Sequence, residues 1–372
     1  MLENIARNVV ALQIKHPYSF IAVFGIIAFL LALGIPLLVG NVEPSLERVL
    51  PQNIEEIETM NNMRAVFGAD MMFIKLTPTS GDDVRNPAYI RYAHELSERL
   101  VHNDYVLEVN SIADLFTAEH SHIPNTLYET QAVIRDNRQS SLYLSPDYDF
   151  MIIRLRTDTG SAAQLIAEVV ESVERDIDLL EERNPGLDTE ITGMNAIDRA
   201  TFTIIMSDFA VITGVSMLLI AIVVWITFGS LLRGMLPMIV VMNALIWTMG
   251  ITGYLGLTIT VVSMVAAAMI MGLGIDFGIH VIHNYTNYRK KMNKEKAITE
   301  TMSELLRAML GSSLTTTAGF LALLFGVLPA MKTLGIILGI GIMSTFIAGF
   351  FLMPVIIYLV DSLIITQKHM EE

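Results

Sequence analysis

The chain has 372 residues, of which 53% are hydrophobic and 17% charged, with a net charge of −14 and a mean hydropathy of +0.53. That composition excludes an ordinary soluble enzyme and requires a lipid phase. With no cysteine, the chain has no disulfide framework, thiolate metal site or catalytic thiol.

The acidity is local. Residues 41–200 hold 29 Asp or Glu against 13 Lys or Arg, and the remainder holds 9 against 11. A bilayer core needs about 20 consecutive apolar residues in a helix, and six runs fit: Tyr18–Gly40, Ile204–Phe228, Met235–Tyr254, Thr258–Tyr285, Met309–Leu328 and Leu334–Val360. We number them spans 1 to 6. Residues 1–17, with Arg7 and Lys15, resemble the basic start of a signal peptide. The apolar run that follows is too long and lacks a small-residue cleavage site, so a retained anchor is expected. Arg7, Lys15, Arg233, the cluster Arg289, Lys290, Lys291, Lys294 and Lys296, and Lys368 all fall on one side of six threaded spans. By the positive-inside rule both termini are expected to be cytoplasmic and residues 41–202 extracytoplasmic, in a multi-pass protein of the cell membrane.

That outer segment reads as a folded α+β module. Met71–Thr77, Tyr105–Val109, Phe150–Arg156 and Asp188–Thr192 have strand patterns. Pro87–Val101 is an amphipathic helix with Tyr89, Ala93, Leu96 and Leu100 on one face, Ala162–Leu180 is a second helix, and a helical insertion lies around Pro124–Arg135. Strand, helix, strand, insertion, strand, helix, strand is the order of a split βαβ pair, which predicts a ferredoxin-like sandwich. The expected organisation is therefore residues 1–40 as an N-terminal cytoplasmic segment and span 1, 41–202 as the outer domain, 203–361 as a five-span bundle, and 362–372 as a cytoplasmic tail. Within the bundle, residues 289–308 are expected to form a cytoplasmic amphipathic segment. Ile298, Met302, Leu305, Leu306 and Met309 are its apolar face, expected in the membrane interface or packed against the span ends.

No phosphate-binding loop is present: there is no GxxxxGK[ST], and the glycines of 272–278 lie inside an apolar run. No Ser–His–Asp arrangement can be assigned, and His120 with His122 is a poor metal-ligand pair, more simply read as a solvated polar loop. The informative residue is Asp276, in Gly272-Leu-Gly-Ile-Asp-Phe-Gly-Ile-His280, deep within span 4. A carboxylate at a helix centre costs about 2.5–3.5 kcal/mol to insert and normally faces a bundle interior or an aqueous path. Desolvation favours the protonated form of such a group. Asp276 is thus a candidate exchangeable proton site. The alternative is a permanently neutral acid that ties helices together. His280 and His283 follow at four and seven residues, on one helical stripe, with His280 the better candidate for a relay. A metal site from Asp276, His280 and His283 would need ligands from another helix. Ala268, Gly272, Gly274 and Gly278 permit close helix approach beside the acid. Span 5 opens with Ser312, Ser313, Thr315, Thr316 and Thr317, hydroxyls that either meet Asp276 or bond back to their own helix.

The GIDFGIH and SSLTTTAGF stretches, the LERVLPQN segment at the start of the outer domain and the one-plus-five division of spans resemble the resistance-nodulation-division superfamily. Within it, the hydrophobe and amphiphile branch of the mycobacterial large membrane proteins and archaeal relatives is the nearest likeness. The resemblance covers essentially the whole chain. It implies a proton-driven exporter of hydrophobic or amphiphilic molecules, lipids among them, with a porter-like outer domain and no cofactor beyond the proton gradient. It also implies that Asp276 is the relay residue; the residues themselves offer His280, Ser312, Ser313, Thr315, Thr316 and Thr317 as its candidate partners and Gly272, Gly274, Phe277 and Gly278 as the helix packing around it. Where that branch usually has Tyr after the aspartate, this chain has Phe277, so a hydroxyl must come from span 5, His280 or water. Such proteins usually carry two halves in one chain. This chain has one, so a homodimer with the two fourth spans near the axis is expected. Other readings are a non-transporting lipid- or sterol-sensing scaffold and an accessory motor like the Sec-associated D and F proteins.

Overall fold

The computed structural model describes residues 2–45, 49–51, 54–59, 62, 70–120, 122–159, 163–184 and 186–366. The LERVLPQN segment falls partly outside these. The chain divides into two compact units, residues 1–42, 47–51 and 204–372 in one and residues 43–46 and 52–203 in the other.

In the second unit, β1 (Asp70–Pro78), β2 (Val106–Asn110), β3 (Met151–Thr157) and β4 (Leu187–Gly193) form one antiparallel sheet in the order β2-β3-β1-β4. Register follows the alternation of apolar residues. Met72 faces Leu155 and Ile74 faces Ile153, so one face of the central strands points into a core. That core takes Ile90, Ala93, Leu96 and Leu100 from the helix Pro87–Leu100 and Ile166, Val169, Val173 and Ile177 from the helix Ala163–Glu181. Each large side chain removed from water there contributes about 1.5–3 kcal/mol. Local signals set the ends: the Asn86 side chain accepts from the Ala88 N–H at 3.0 Å, with Pro87 in the first turn. At Gly193 (φ 109°) a Cβ would strike the β1 backbone at Met71 and Met72.

Six segments among the described residues are long and apolar enough to cross a membrane: Pro17–Gly40, Met194–Phe228, Arg233–Tyr254, Val261–Arg289, Lys294–Phe325 and Pro329–Asp361; all lie in the first unit except residues 194–203, which belong to the second. The chain is a multi-pass membrane protein. Spans 3, 4 and 6 are the most enclosed, with 56%, 56% and 72% of their central windows buried, whereas spans 2 and 5 have 6% and 11%. Span 1 breaks between helices Pro17–Ala32 and Ile35–Gly40, and span 6 between Pro329–Phe351 and Met353–Thr366, each next to a proline that cannot donate to the ladder. Spans 1 and 3 meet backbone to backbone: a Cβ on Gly250 would collide with the Leu31 carbonyl, and one on Gly253 with the Gly34 carbonyl.

Two expectations need correction. The amphipathic stretch before span 5 is not a separate surface segment, because Lys294–Leu321 is one 28-residue helix. The Asn293 side chain caps its start, accepting from the Lys296 N–H at 3.0 Å, and neither Pro nor Gly interrupts it before Gly311. Of the two placements expected for its apolar face, the structure has the one against the span ends and not the one in the interface. Ile298, Met302, Leu306 and Met309 are buried, with Leu305 partly so, against Tyr285, Val281, Ile357 and the N-terminal helix Leu2–Lys15 through Ala6 and Val10. Those protein neighbours supply the apolar cover that lipid would otherwise provide. The last helix also runs on to Thr366, six residues past the expected end at Val360.

Candidate functional site

Span 4 carries three glycines, Gly272, Gly274 and Gly278, residues that weaken a helix interior unless close packing uses them. Two residues turn an α-helix by about 200°, so Gly274 and Asp276 lie on nearly opposite faces. The glycine face is turned inward. A Cβ on Gly274 would collide with Thr345 of span 6, and one on Gly278 with Pro237 of span 3. Phe277, 7% exposed, packs on that side within the cluster of Leu236, Val240 and Val281. The other face, with Gly272, Asp276, His280 and His283, is exposed, and beyond the backbone of its own helix and its chain neighbours a Cβ on Gly272 would meet no described atom within 4 Å. Gly274 and Gly278 therefore lie against other helices of the same subunit. Gly272 and the half-buried Ala268 keep an open side.

Asp276 has no hydrogen bond or ion pair among the described residues. His280 likewise has none, while His283 Nε2 and Asn287 Nδ2 lie 3.1 Å apart. The span 5 hydroxyls divide. Ser313 is fully buried and donates to the Met309 carbonyl at 2.7 Å, and the half-buried Thr317 sits against Gly339 of span 6, its buried Oγ1 unpaired. Ser312 and Thr315 are exposed, Thr316 is half-buried, and Thr315 donates to the Gly311 and Ser312 carbonyls at 2.9 and 3.0 Å. No hydroxyl of span 5 hydrogen-bonds to Asp276 within the single chain. Spans 4 and 5 pack against each other, and each leaves polar residues exposed. On these helices Leu273 and Leu314 keep 40% and 52% of their surface exposed.

Several polar groups escaped the sequence reading. At the far end of span 4, the buried Tyr285 hydroxyl donates to Asp361 of span 6, and Arg289 clasps the same carboxylate through Nε at 3.1 Å and Nη2 at 3.2 Å. The signal was two opposite charges ending two apolar runs on one side of the membrane. Gln13, fully buried, lies 3.4 Å from the carbonyls of Phe350 and Phe351. Asp208 is exposed four residues into the apolar part of span 2. Among the described residues no three His, Asp or Glu side chains are grouped as a metal site. The His120 side chain lies outside the described residues.

The profile of the MMPL family matches residues 48–371. The chain is 27% identical to the putative membrane protein MJ1562 of Methanocaldococcus jannaschii over 383 aligned positions, covering 99% of this chain and 96% of that one. It is 26% identical over 147 residues to the sulfolipid-1 exporter MmpL8 of Mycobacterium tuberculosis, covering 38% of this chain and 14% of the relative. Against the hopanoid transporter HpnN of Rhodopseudomonas palustris it is 27% identical over 191 residues, covering 50% of this chain and 21% of the relative.

Proposed function

Because the chain belongs to the MMPL family of the resistance-nodulation-division superfamily, we propose that it is a proton-driven secondary transporter of hydrophobic or amphiphilic molecules, lipids among them. The observation that carries this reading is Asp276. It is a carboxylate deep in an apolar helix, unpaired and uncovered by its own chain. Left facing hydrocarbon it would cost several kcal/mol, so it needs a partner surface. The names of the relatives, a sulfolipid exporter and a hopanoid transporter, favour a lipid-like cargo.

The partner surface is a second copy, related by a two-fold axis beside Gly272 and Ala268. In that arrangement Asp276 takes and releases the proton, and His280, Ser312, Thr315 and Thr316 are the groups able to exchange it with water. Ser313 and Thr317 act from inside the subunit, by holding span 5 in place. The near-full-length match to MJ1562, against the small fractions of MmpL8 and HpnN covered, fits a half-size member of the family. Both termini are cytoplasmic in this reading and residues 41–202 are an extracytoplasmic porter-like domain. Its sheet order, β4-β1-β3-β2 when read from the other edge, supports the ferredoxin-like assignment.

Proteoliposomes with an imposed proton gradient and a fluorescent lipid test the reading. Asp276→Asn keeps the shape and hydrogen-bonding capacity but not the titratable proton. Gradient-dependent movement should fall to the protein-free rate while folding survives. Equal transport by wild type and Asp276→Asn would reject the relay and favour a sensing or scaffolding role.

A further inference from the structure

Span 6 breaks at Leu352, between the helices Pro329–Phe351 and Met353–Thr366. Pro354 has no N–H, so the carbonyl of Phe350, four residues earlier, loses its helical donor. Within a membrane bundle such a carbonyl needs another partner. That partner comes from the far end of the sequence. Gln13, on the helix Leu2–Lys15, donates through Nε2 to the Phe350 and Phe351 carbonyls at 3.4 Å each. Ala6, Val10 and Gln13 form the buried stripe of that helix, each with 0% of its surface exposed. A leucine would fill the third place of such a stripe; the carboxamide adds the donor that the carbonyls lack. The rest of the attachment is light. Arg7 and Glu300 pair at 3.1 Å with 51% and 39% of their side chains exposed, and such surface pairs contribute little. Gln13 Oε1 is buried without a partner, so the docked helix is not fully satisfied.

The break separates two grips of span 6 on span 4. Before it, Thr345 lies against Gly274 and Gly349 faces Phe277, on the side turned away from Asp276. After it, Asp361 holds Tyr285 and Arg289. The bend at Leu352 therefore sets how span 6 bears on the part of span 4 that carries Asp276 while its other half stays pinned at Arg289. We propose that the helix Leu2–Lys15 is a strap across this break and that Gln13, by holding the two carbonyls, is a positioning residue for Asp276. With the strap docked the bend is fixed and the packing behind Asp276 is firm. With the strap released the carbonyls are unpaired, the bend loosens, and Thr345 and Gly349 no longer keep one position against Gly274 and Phe277. The strap stands by itself, whereas its effect on Asp276 rests on the proton-site reading.

Two measurements on the full chain in nanodiscs test this with Gln13→Met, which fills similar space without a donor. Hydrogen exchange follows the strap. The N–H groups of Leu352 and Ile356 bond to the Ala348 and Leu352 carbonyls at 2.8 and 3.1 Å. Their exchange should be about tenfold faster in the variant, the effect of one buried hydrogen bond. Arg7→Gln, which cuts only the exposed ion pair, should match wild type there. Where Gln13→Met does not fold, Gln13→Asn takes its place, since its amide is too short to reach both carbonyls. Dicyclohexylcarbodiimide, which attacks protonated carboxyls in apolar surroundings, follows Asp276 and needs neither cargo nor gradient. The pH midpoint of its labelling should differ between wild type and Gln13→Met. The groups on that side of spans 4 and 5, His280 and the hydroxyls of Ser312, Thr315 and Thr316, are untouched by the variant. Unchanged exchange in Gln13→Met and Gln13→Asn would overturn the strap. Faster exchange with an unchanged labelling midpoint would overturn the positioning role. Asp276 unlabelled in wild type at every pH would reject the proton site and with it the positioning, while exchange still decides the strap.

Discussion

On one side of span 4, Gly274 and Gly278 admit Thr345 and Pro237 to the helix surface, and Phe277 is sealed among apolar neighbours. On the other, beyond its own helix backbone and chain neighbours a Cβ on Gly272 would meet no described atom within 4 Å, and Asp276, His280 and His283 are uncovered. The residues are of similar kinds, small ones with a few large or polar neighbours, yet one face is finished within the chain and the other is not. What separates them is about 200° of helix rotation. A glycine's role is thus set by which element faces it, and the uncovered side is the one the proposed partner and proton would use.

Gly278→Leu and Gly272→Leu turn that contrast into numbers. The first drives a side chain into Pro237 and should cost roughly 3 kcal/mol, the upper end of overpacking penalties. It would be read as a large fall in the thermal midpoint of the detergent-purified protein. The second points into open space and should leave the single chain within about 0.5 kcal/mol of wild type, while weakening self-association. Equal destabilisation by both would erase the distinction between the faces.

The inward face has a polar end as well, and breaking it should cost slightly less. Asp361→Ala leaves the Arg289 guanidinium and the Tyr285 hydroxyl without their shared acceptor. Removing one partner of a fully buried pair costs about 3–5 kcal/mol. Because Arg289 keeps 28% of its side chain exposed, about 2–3 kcal/mol is expected after screening. A midpoint unchanged in Asp361→Ala would mean that the cluster does not hold span 6 to span 4.

The smallest effect belongs to the outer unit. Hydrogen bonds from the Arg85 side chain and backbone, with one from Gln131 at 3.1 Å, hold the Asp83 carboxyl below its usual range despite the opposing effect of burial. Its contribution is therefore present above the unfolded value, about 3.9, and is lost as pH falls through the lower folded one. Hydrogen exchange in the full-length protein should show Asp83→Asn weakening protection of the helix Leu127–Asp136 at neutral pH, by less than about 1 kcal/mol. The variant should also show less of the further weakening that wild type undergoes in acid. Identical acid profiles would remove this pair from the account.

Much of this was legible because the signals are strong and local. Uninterrupted apolar runs locate six spans, and alternation at Met71–Thr77 and Phe150–Arg156 places β1 and β3 within a residue of their observed ends. Pro87 marks the start of the first outer helix in the same way. What was not legible depends on faces meeting across the chain. The face of Ile298 and Met302 is apolar whether lipid or the N-terminal helix covers it, and only the packing decides. The four small residues of span 4 look equivalent by spacing until Pro237 and Thr345 are seen to occupy two of them. Span 5 hydroxyls divide inward and outward for the same reason.

Closure of the Asp276 face by a second copy is the central claim, and the absence of native cysteine gives it a clean test. A single Gly272→Cys substitution, oxidised in native membranes with copper phenanthroline, should give a covalent dimer, since disulfides form only when Cβ atoms approach to about 4 Å. Leu219→Cys, on the exposed surface of span 2, should stay monomeric under the same treatment. A Gly272→Cys chain that remains monomeric, or that crosslinks no more than Leu219→Cys, would contradict the account.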